Sequence, residues 1–149
     1  MVPSLIAVVP PPAKDDDPDA SIPGALAPHL TSTGEINALL AQIGSSVDPT
    51  LANVLGIVLD CQGNPASGVS VRLDVRDKKT VGYYSDDTGT PSVTAQETAG
   101  RGEAGFVNTP TGPVSVEATV TSLNKKVGRY TVIAKPGYIT YLPMSPGPS

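Results

Sequence analysis

The sequence predicts an all-β protein, a Greek-key β-sandwich of about seven strands preceded by one short helix and an extended N-terminal segment. The first observation behind this prediction is the unit starting at Val54, where an apolar run, a turn cluster and an alternating strand follow one another. The second is the composition, since 15 glycines and 16 prolines in 149 residues are typical of short strands joined by turns. With five tyrosines, one phenylalanine and no tryptophan, the core is expected to be aliphatic.

Residues 1–30 are predicted to be an extended segment, because a proline triplet and an acidic run oppose a packed element. Within this segment, a short apolar run is predicted to add as a strand to a sheet edge, and in a neighbouring copy that would be an assembly contact. The run consists of Leu5, Ile6, Ala7, Val8 and Val9. It is too short for a membrane span and has no basic residues before it, so any export signal is expected to lie outside this sequence.

Residues 31–52 are predicted to form one short helix, at about 32–43, and a connector. Ser32 and Glu35 form a capping box at its start, and Gly44 is placed to end it. One apolar stripe runs along the helix, formed by Ile36, Leu39, Leu40 and Ile43. The stripe is expected to cover an edge or an end of the sandwich.

The β-sandwich domain is predicted at residues 53–143, followed by a tail at 144–149. Its second strand alternates most clearly. Val69, Val71, Leu73 and Val75 are expected on the core face, and Ser70, Arg72, Asp74 and Arg76 on the wet face. Later strands are predicted at 80–85, 92–98, 103–108, 113–121, 127–135 and 138–142, separated by turn residues.

The segment from Gly56 to Val71 has a glycine, aspartate and proline spacing that resembles the opening of carboxypeptidase regulatory-like domains. Those domains belong to the transthyretin-like (prealbumin-like) β-sandwiches. A second segment, from Thr98 to Val116, resembles a later part of the same pattern, but it lacks the usual aspartate after Thr98 and has a longer glycine-rich spacer. The resemblance covers about residues 53–142 and implies a transthyretin-like sandwich.

The same opening occurs in intradiol ring-cleavage dioxygenases, which hold non-haem iron with two tyrosines and two histidines. This chain has a single histidine, His29, so a two-histidine iron site within one chain is excluded. One cysteine and one histidine also argue against a zinc site or a Cys-His nucleophile. We therefore expect no enzyme, no metal and no cofactor. A relative of these dioxygenases that has lost its iron ligands is the least favoured alternative.

Four tyrosines are candidate ligand or partner contacts, namely Tyr83, Tyr84, Tyr138 and Tyr141. Tyr83 and Tyr84 are adjacent, so on a strand they point to opposite faces and one of them points outward. An outward tyrosine can stack on a sugar or anchor a protein contact, although the rings can equally cap the ends of an aliphatic core. Cys61, in the first turn, is expected to be a part-buried, unreactive packing residue.

These observations favour a non-catalytic structural or adhesive module of a secreted or cell-surface bacterial protein. The expected partner is protein, with self-association into a filament as a specific form. A carbohydrate-binding module that uses exposed tyrosines is the alternative. A net charge of -4 argues against nucleic acid as a partner, and no segment has the length of a membrane span.

Overall fold

The computed structural model describes residues 33–146. In this range one helix, α1 (Thr33–Ala41), precedes eight strands. They are β1 (Ala52–Val58), β2 (Val69–Leu73), β3 (Val81–Ser85), β4 (Pro91–Ser92), β5 (Glu103–Thr109), β6 (Gly112–Val120), β7 (Lys125–Ala134) and β8 (Ile139–Met144). The predicted extended segment at 1–30, the strand-exchange run Leu5–Val9 and residues 147–149 lie outside the described residues.

The strands form two sheets that pack face to face, which confirms the predicted all-β sandwich. The larger sheet has the order β4-β3-β5-β1-β8, and the smaller has the order β2-β6-β7. β1 and β8 run parallel, whereas the other described pairs are antiparallel. There are eight strands where about seven were expected, and the shortest of them is the two-residue β4.

The main core lies between the two sheets and is aliphatic apart from Phe106, as the composition predicts. Alternate residues of each strand point into it, including Val54 of β1, Val71 of β2 and Val116 of β6. β8 also contributes to this core through Leu142 and Met144. The sandwich therefore runs from residue 52 to residue 144, so the predicted tail begins too early: the first residue assigned to it, Met144, is 1% exposed.

A second core covers the outer face of the five-stranded sheet. Ile36, Leu39 and Leu40 of α1 pack there against sheet residues. Those sheet residues are Leu55, Tyr83 and Val107, with Val81, Val93 and Tyr141 at the margin. Helix α1 thus lies on a face of the sandwich and not on an edge or end, and this is why all seven residues of β1 and of β5 are buried.

Helix α1 ends at Ala41, two residues earlier than predicted, and Gly44 follows it with a φ of 68°, the left-handed cap that the sequence predicts. The Gly44 amide donates to the Ala41 carbonyl at 3.2 Å, and the Ser45 amide donates to the Leu40 carbonyl at 2.8 Å, which is the Schellman pair of bonds. The helix closes before Ile43, so that side chain leaves the stripe and is 44% exposed, contrary to prediction. The proposed capping pair is not described, because Ser32 and the Glu35 side chain lie outside the described part.

Asn108 holds the connector after α1 to the sheet. Its Oδ1 accepts from the Asp48 amide at 2.8 Å, and its Nδ2 donates to the Ser46 carbonyl at 2.9 Å. Its own amide donates to the Asn53 Oδ1 at 3.1 Å. Asn108 is fully buried and has a φ of 56°, a conformation that asparagine tolerates better than most residues. The residue therefore fixes where the helix returns to the sheet.

Two predicted strands are shorter than expected. β2 ends at Leu73, because Asp74 turns its carboxylate back to accept from the Ser115 amide at 2.8 Å. Val75 is consequently 47% exposed and does not join the core. The predicted strand at 92–98 is limited to β4, since the segment after Ser92 runs across the end of the sandwich to reach β2.

Candidate functional site

The free edge of β2 is closed by side chains of other segments. Thr98 pairs with Val69, whose amide donates to the Thr98 Oγ1 at 3.1 Å and whose carbonyl accepts from the Thr98 amide at 2.9 Å. The Val71 amide donates to the Tyr84 Oη at 3.0 Å. These bonds occupy backbone groups that would otherwise be available to an added strand.

The edges of β8 and β7 carry other obstacles to strand addition. The Asn53 amide donates to the Tyr138 carbonyl and the Leu59 amide donates to the Met144 carbonyl. By the alternation of a parallel ladder, Pro143 then faces away from β1, and proline has no amide to donate to a further strand. β7 carries Lys125 and Lys126, which is a usual way of discouraging edge pairing.

The edge of β3 is open over its first half. β4 pairs only with Tyr84 and Ser85, and the Asp86 amide bonds the Thr90 carbonyl at 2.9 Å to close the turn. In an antiparallel sheet the backbone amide and carbonyl groups of successive residues point alternately to the two sides of the strand. Those of Tyr84 point towards β4, so those of Gly82 point to the same side, beyond the end of β4. Within residues 33–146, Gly82 therefore presents an amide and a carbonyl that no neighbouring strand uses.

A groove of about 400 Å³ lies along this open edge. Val71, Tyr84 and Phe106 line the part between the two sheets, and Val93 lines the part next to helix α1. Thr80 and Gln96 add polar groups to its wall. The groove thus combines unpaired backbone with apolar side chains on both faces of the sheet, while the surface that it presents to solvent is more polar than apolar.

Arg76 forms one wall of the groove. Its guanidinium lies 5.8 Å from the centre of the Phe106 ring, a cation–π distance. Gly82 leaves the space for this contact, since a Cβ there would lie 3.2 Å from the Arg76 Nη2. No carboxylate among the described residues forms a salt bridge with Arg76, and the sequence interpretation that placed it on the wet face of β2 is wrong.

The loops that follow the C-terminal ends of β1 and β3 have the same hydrogen-bonding pattern. In the first, the Asp60 Oδ1 accepts from the amides of Gln62 and Asn64, each at 2.9 Å. In the second, the Asp86 Oδ1 accepts from the amides of Thr88 and Thr90, each at 2.9 Å. The Asn64 amide lowers the pKa of Asp60, and the Thr88 hydroxyl lowers the pKa of Asp86.

The shared design is visible in the letters DCQGNP and DDTGTP, in which an aspartate precedes a glycine by three residues and a proline by five. Gly63 and Gly89 both have positive φ, of 84° and 88°. The Asp60 and Asp86 carboxylates are already used by amides of their own loops. Among the described residues there is also no group of three or more side chains suited to a metal ion.

The four candidate tyrosines do not form one surface. Tyr83 and Tyr84 point to opposite faces as expected, but the outward Tyr83 is covered by α1 and is 3% exposed. Its ring lies directly over Gly105, where a side chain would collide with it. Tyr84 is half-buried in the groove, and desolvation raises its pKa. Tyr141 lies at the margin of the helix-side core, which leaves Tyr138, at 66% exposure, as the tyrosine presented to solvent.

Cys61 is exposed, contrary to the expectation of a part-buried packing residue. It sits in the Asp60 loop, directly after the aspartate that accepts the loop amides. A second exposed feature is the ion pair of Lys79 with Asp48, with 2.6 Å between the Nζ and Oδ2 atoms. The bond from Lys79 holds the pKa of Asp48 well below its usual range.

The outer face of the three-stranded sheet carries a charge network and no covering element among residues 33–146. Arg72 and Arg129 flank Glu117 across the strands. Arg129 pairs with Asp74 at 3.3 Å, and Lys126 pairs with Glu117 at 3.0 Å. Arg72 and Asp74 lie in this network, as expected from the wet face that the sequence predicts for β2.

Sequence reasoning missed Gly82, Asn108 and the groove. Gly82 could have been recognised because it is a glycine in the middle of a short strand. Glycine at such a position often indicates that another backbone or a ligand approaches closely. Asn108 stands between an apolar strand and Pro110, where a left-handed turn residue is common. The groove itself depends on how far β4 extends, which no local pattern gives.

No family model matches this chain, and no curated protein shows significant similarity to it. No helix within residues 33–146 is long and apolar enough to cross a bilayer.

Proposed function

We propose that this chain is a non-catalytic structural or adhesive module that assembles with copies of itself through its N-terminal segment, as part of a secreted or cell-surface bacterial protein. The observation that carries the proposal is the open edge of β3 with its groove, in a sandwich whose β2, β7 and β8 edges carry obstacles to pairing. An accessible strand edge is a template for pairing with another chain.

The packing of the described domain also favours a structural role. Both faces of the five-stranded sheet are buried, one by the second sheet and the other by α1. The transthyretin-like resemblance of residues 53–142 is part of this proposal and is consistent with a two-sheet scaffold.

Sedimentation velocity and electron microscopy of the full-length protein test the proposal. We expect concentration-dependent oligomers or filaments from the native sequence and a monomer after deletion of residues 1–12. Ile6→Asp combined with Val8→Asp should have the same effect, because two carboxylates cannot be buried in an apolar strand contact. A deletion variant that assembles like the native chain contradicts the proposal.

Tyr138 supports a second candidate, carbohydrate binding, because its ring is 66% exposed and stands beside the exposed Ile139. A glycan array read with the native protein and with Tyr138→Ala tests it, with Tyr84→Ala as the matched control in the groove. Sugar binding that is lost only in Tyr138→Ala supports this function, and no binding at millimolar concentration rejects it.

A further inference from the structure

We propose that residues Leu5–Val9 of a second copy insert as an added strand beside β3 and pair with the backbone of Gly82. This inference rests on the proposed self-assembly, and it names the donor residues and the backbone group of the open edge that accepts them. The segment would continue the five-stranded sheet past the point where β4 stops.

The backbone of Gly82 supplies the polar half of the contact. An added strand gains affinity from main-chain hydrogen bonds, so the acceptor needs a free donor and a free acceptor at the same edge. Gly82 has both, facing the side that β4 does not reach. At the β2 edge the corresponding groups of Val69 and Val71 are already bonded to Thr98 and Tyr84.

The groove supplies the apolar half of the contact. The run Leu5–Val9 is apolar at all five positions, a pattern typical of a strand that is buried on both faces. An added strand beside Gly82 would have Phe106 and Val71 on one face and Val93 on the other. A strand with one wet face would alternate polar and apolar residues, and this segment does not.

Arg76 would act as the movable cover of the site. In the described structure its guanidinium lies over Phe106, and within residues 33–146 no ion pair retains it there. Rotation of this exposed side chain uncovers the Phe106 ring and the space over Gly82. Arg76 can then stay at the rim in contact with water.

The intervening sequence favours a second copy over the chain's own segment. Residues 10–32 contain six prolines, which favour an extended linker of about 3.1 Å per residue, or about 70 Å for 23 residues. The described domain of about 114 residues is expected to have a radius of gyration of only about 13 Å. A linker extended to this length would place the apolar run beyond its own domain. Pro10 directly after Val9 also ends the added strand at the length of β3.

Disulfide trapping in the full-length chain tests the inference. The exposed Cys61 is first replaced by serine. One preparation then carries Ile6→Cys and another, with a different affinity tag, carries Gln96→Cys at the groove. The matched control pairs Ile6→Cys with Tyr138→Cys, an exposed site at the start of β8.

We expect the mixed-tag disulfide dimer to form at least tenfold more with Gln96→Cys than with Tyr138→Cys. Equal yields at the two sites overturn the acceptor assignment. A chain carrying both Ile6→Cys and Gln96→Cys that links only within itself overturns the second copy as donor. If the native chain is monomeric at all concentrations, the proposed function itself fails, whereas assembly without trapping at Gln96 removes only this inference.

Gly82→Leu provides an independent test, because its side chain would occupy the groove beside Phe106. Circular dichroism establishes whether the variant is folded. A folded Gly82→Leu protein is expected to lose assembly by at least tenfold in association constant, and unchanged assembly contradicts the inference. If the variant does not fold, the disulfide experiment decides.

Discussion

The two outer faces of the sandwich are built in opposite ways. The outer face of the five-stranded sheet is apolar and buried beneath α1, with Leu40 completely inaccessible to solvent. The outer face of the three-stranded sheet is exposed to solvent and carries a network of arginine and carboxylate side chains. The comparison teaches that stability in this domain is concentrated on one side, and that the second side can be changed with little effect.

The largest expected effect is the loss of a helix contact. Leu40→Ala should lower the free energy of unfolding by about 2–5 kcal/mol, because it leaves a cavity between α1 and the sheet. Ile43→Ala, on the same predicted stripe but 44% exposed, is the matched control and should change it by less than about 1 kcal/mol. Urea unfolding measures both, and a loss of less than about 1 kcal/mol in Leu40→Ala would mean that the helix contributes little to the fold.

A smaller effect is expected where the connector meets the sheet. Asn108→Ala should destabilise the protein by about 2–4 kcal/mol, since it combines a left-handed backbone position with the loss of bonds to Ser46 and Asp48. Asn108→Gly removes the same bonds but accepts the backbone conformation. It should therefore be about 1 kcal/mol less damaging, and a glycine variant worse than the alanine variant would contradict this account.

Acid should weaken the surface loops. The pKa values of Asp48, Asp60 and Asp86 are all lowered from an ordinary value of 3.8 by hydrogen bonds in the folded state. Their folded-state pKa values lie below the unfolded values, so their stabilisation is present above about pH 4 and is lost as pH falls further. The urea midpoint should fall between pH 6 and pH 3.

The control for the acid effect is the triple variant Asp48→Asn, Asp60→Asn and Asp86→Asn. Asparagine keeps an oxygen acceptor for the loop amides but cannot be protonated in this range. Its urea midpoint should depend less on pH than that of the native protein, and an equally steep decline would assign the acid effect to other groups.

The smallest effect is expected on the solvated face. Arg129→Ala breaks the exposed ion pair with Asp74, and the free energy of unfolding should change by no more than about 0.5 kcal/mol. Arg72→Ala, on the neighbouring strand, should behave in the same way. A loss above about 2 kcal/mol in either variant would show that the two outer faces are not as different as the packing indicates.

The sequence predicted the parts of the fold that depend on local pattern. Alternation in β2 places Val71 in the core, and the glycine at position 44 forms the cap that follows α1. These features are set by neighbours along the chain, so periodicity and turn chemistry are sufficient to predict them.

The predictions that were wrong concern features that depend on contacts between residues far apart in the sequence. The helix stripe was recognised, but nothing local distinguishes a face of the sandwich from an edge as its target. Val75 continues the alternation of β2 and is nevertheless exposed, because Asp74 bonds Ser115 at that point. The candidate site depends even more on distant contacts. The backbone of Gly82 lies at an open edge only because β4 is two residues long.

Hydrogen exchange at the Gly82 amide tests the central claim most directly. The full-length protein is compared at high concentration and after dilution below the assembly threshold. The account predicts strong protection of Gly82 in the assembled protein and rapid exchange in the dilute protein and in the Ile6→Asp, Val8→Asp variant. Rapid exchange of Gly82 in a demonstrably assembled sample would contradict it.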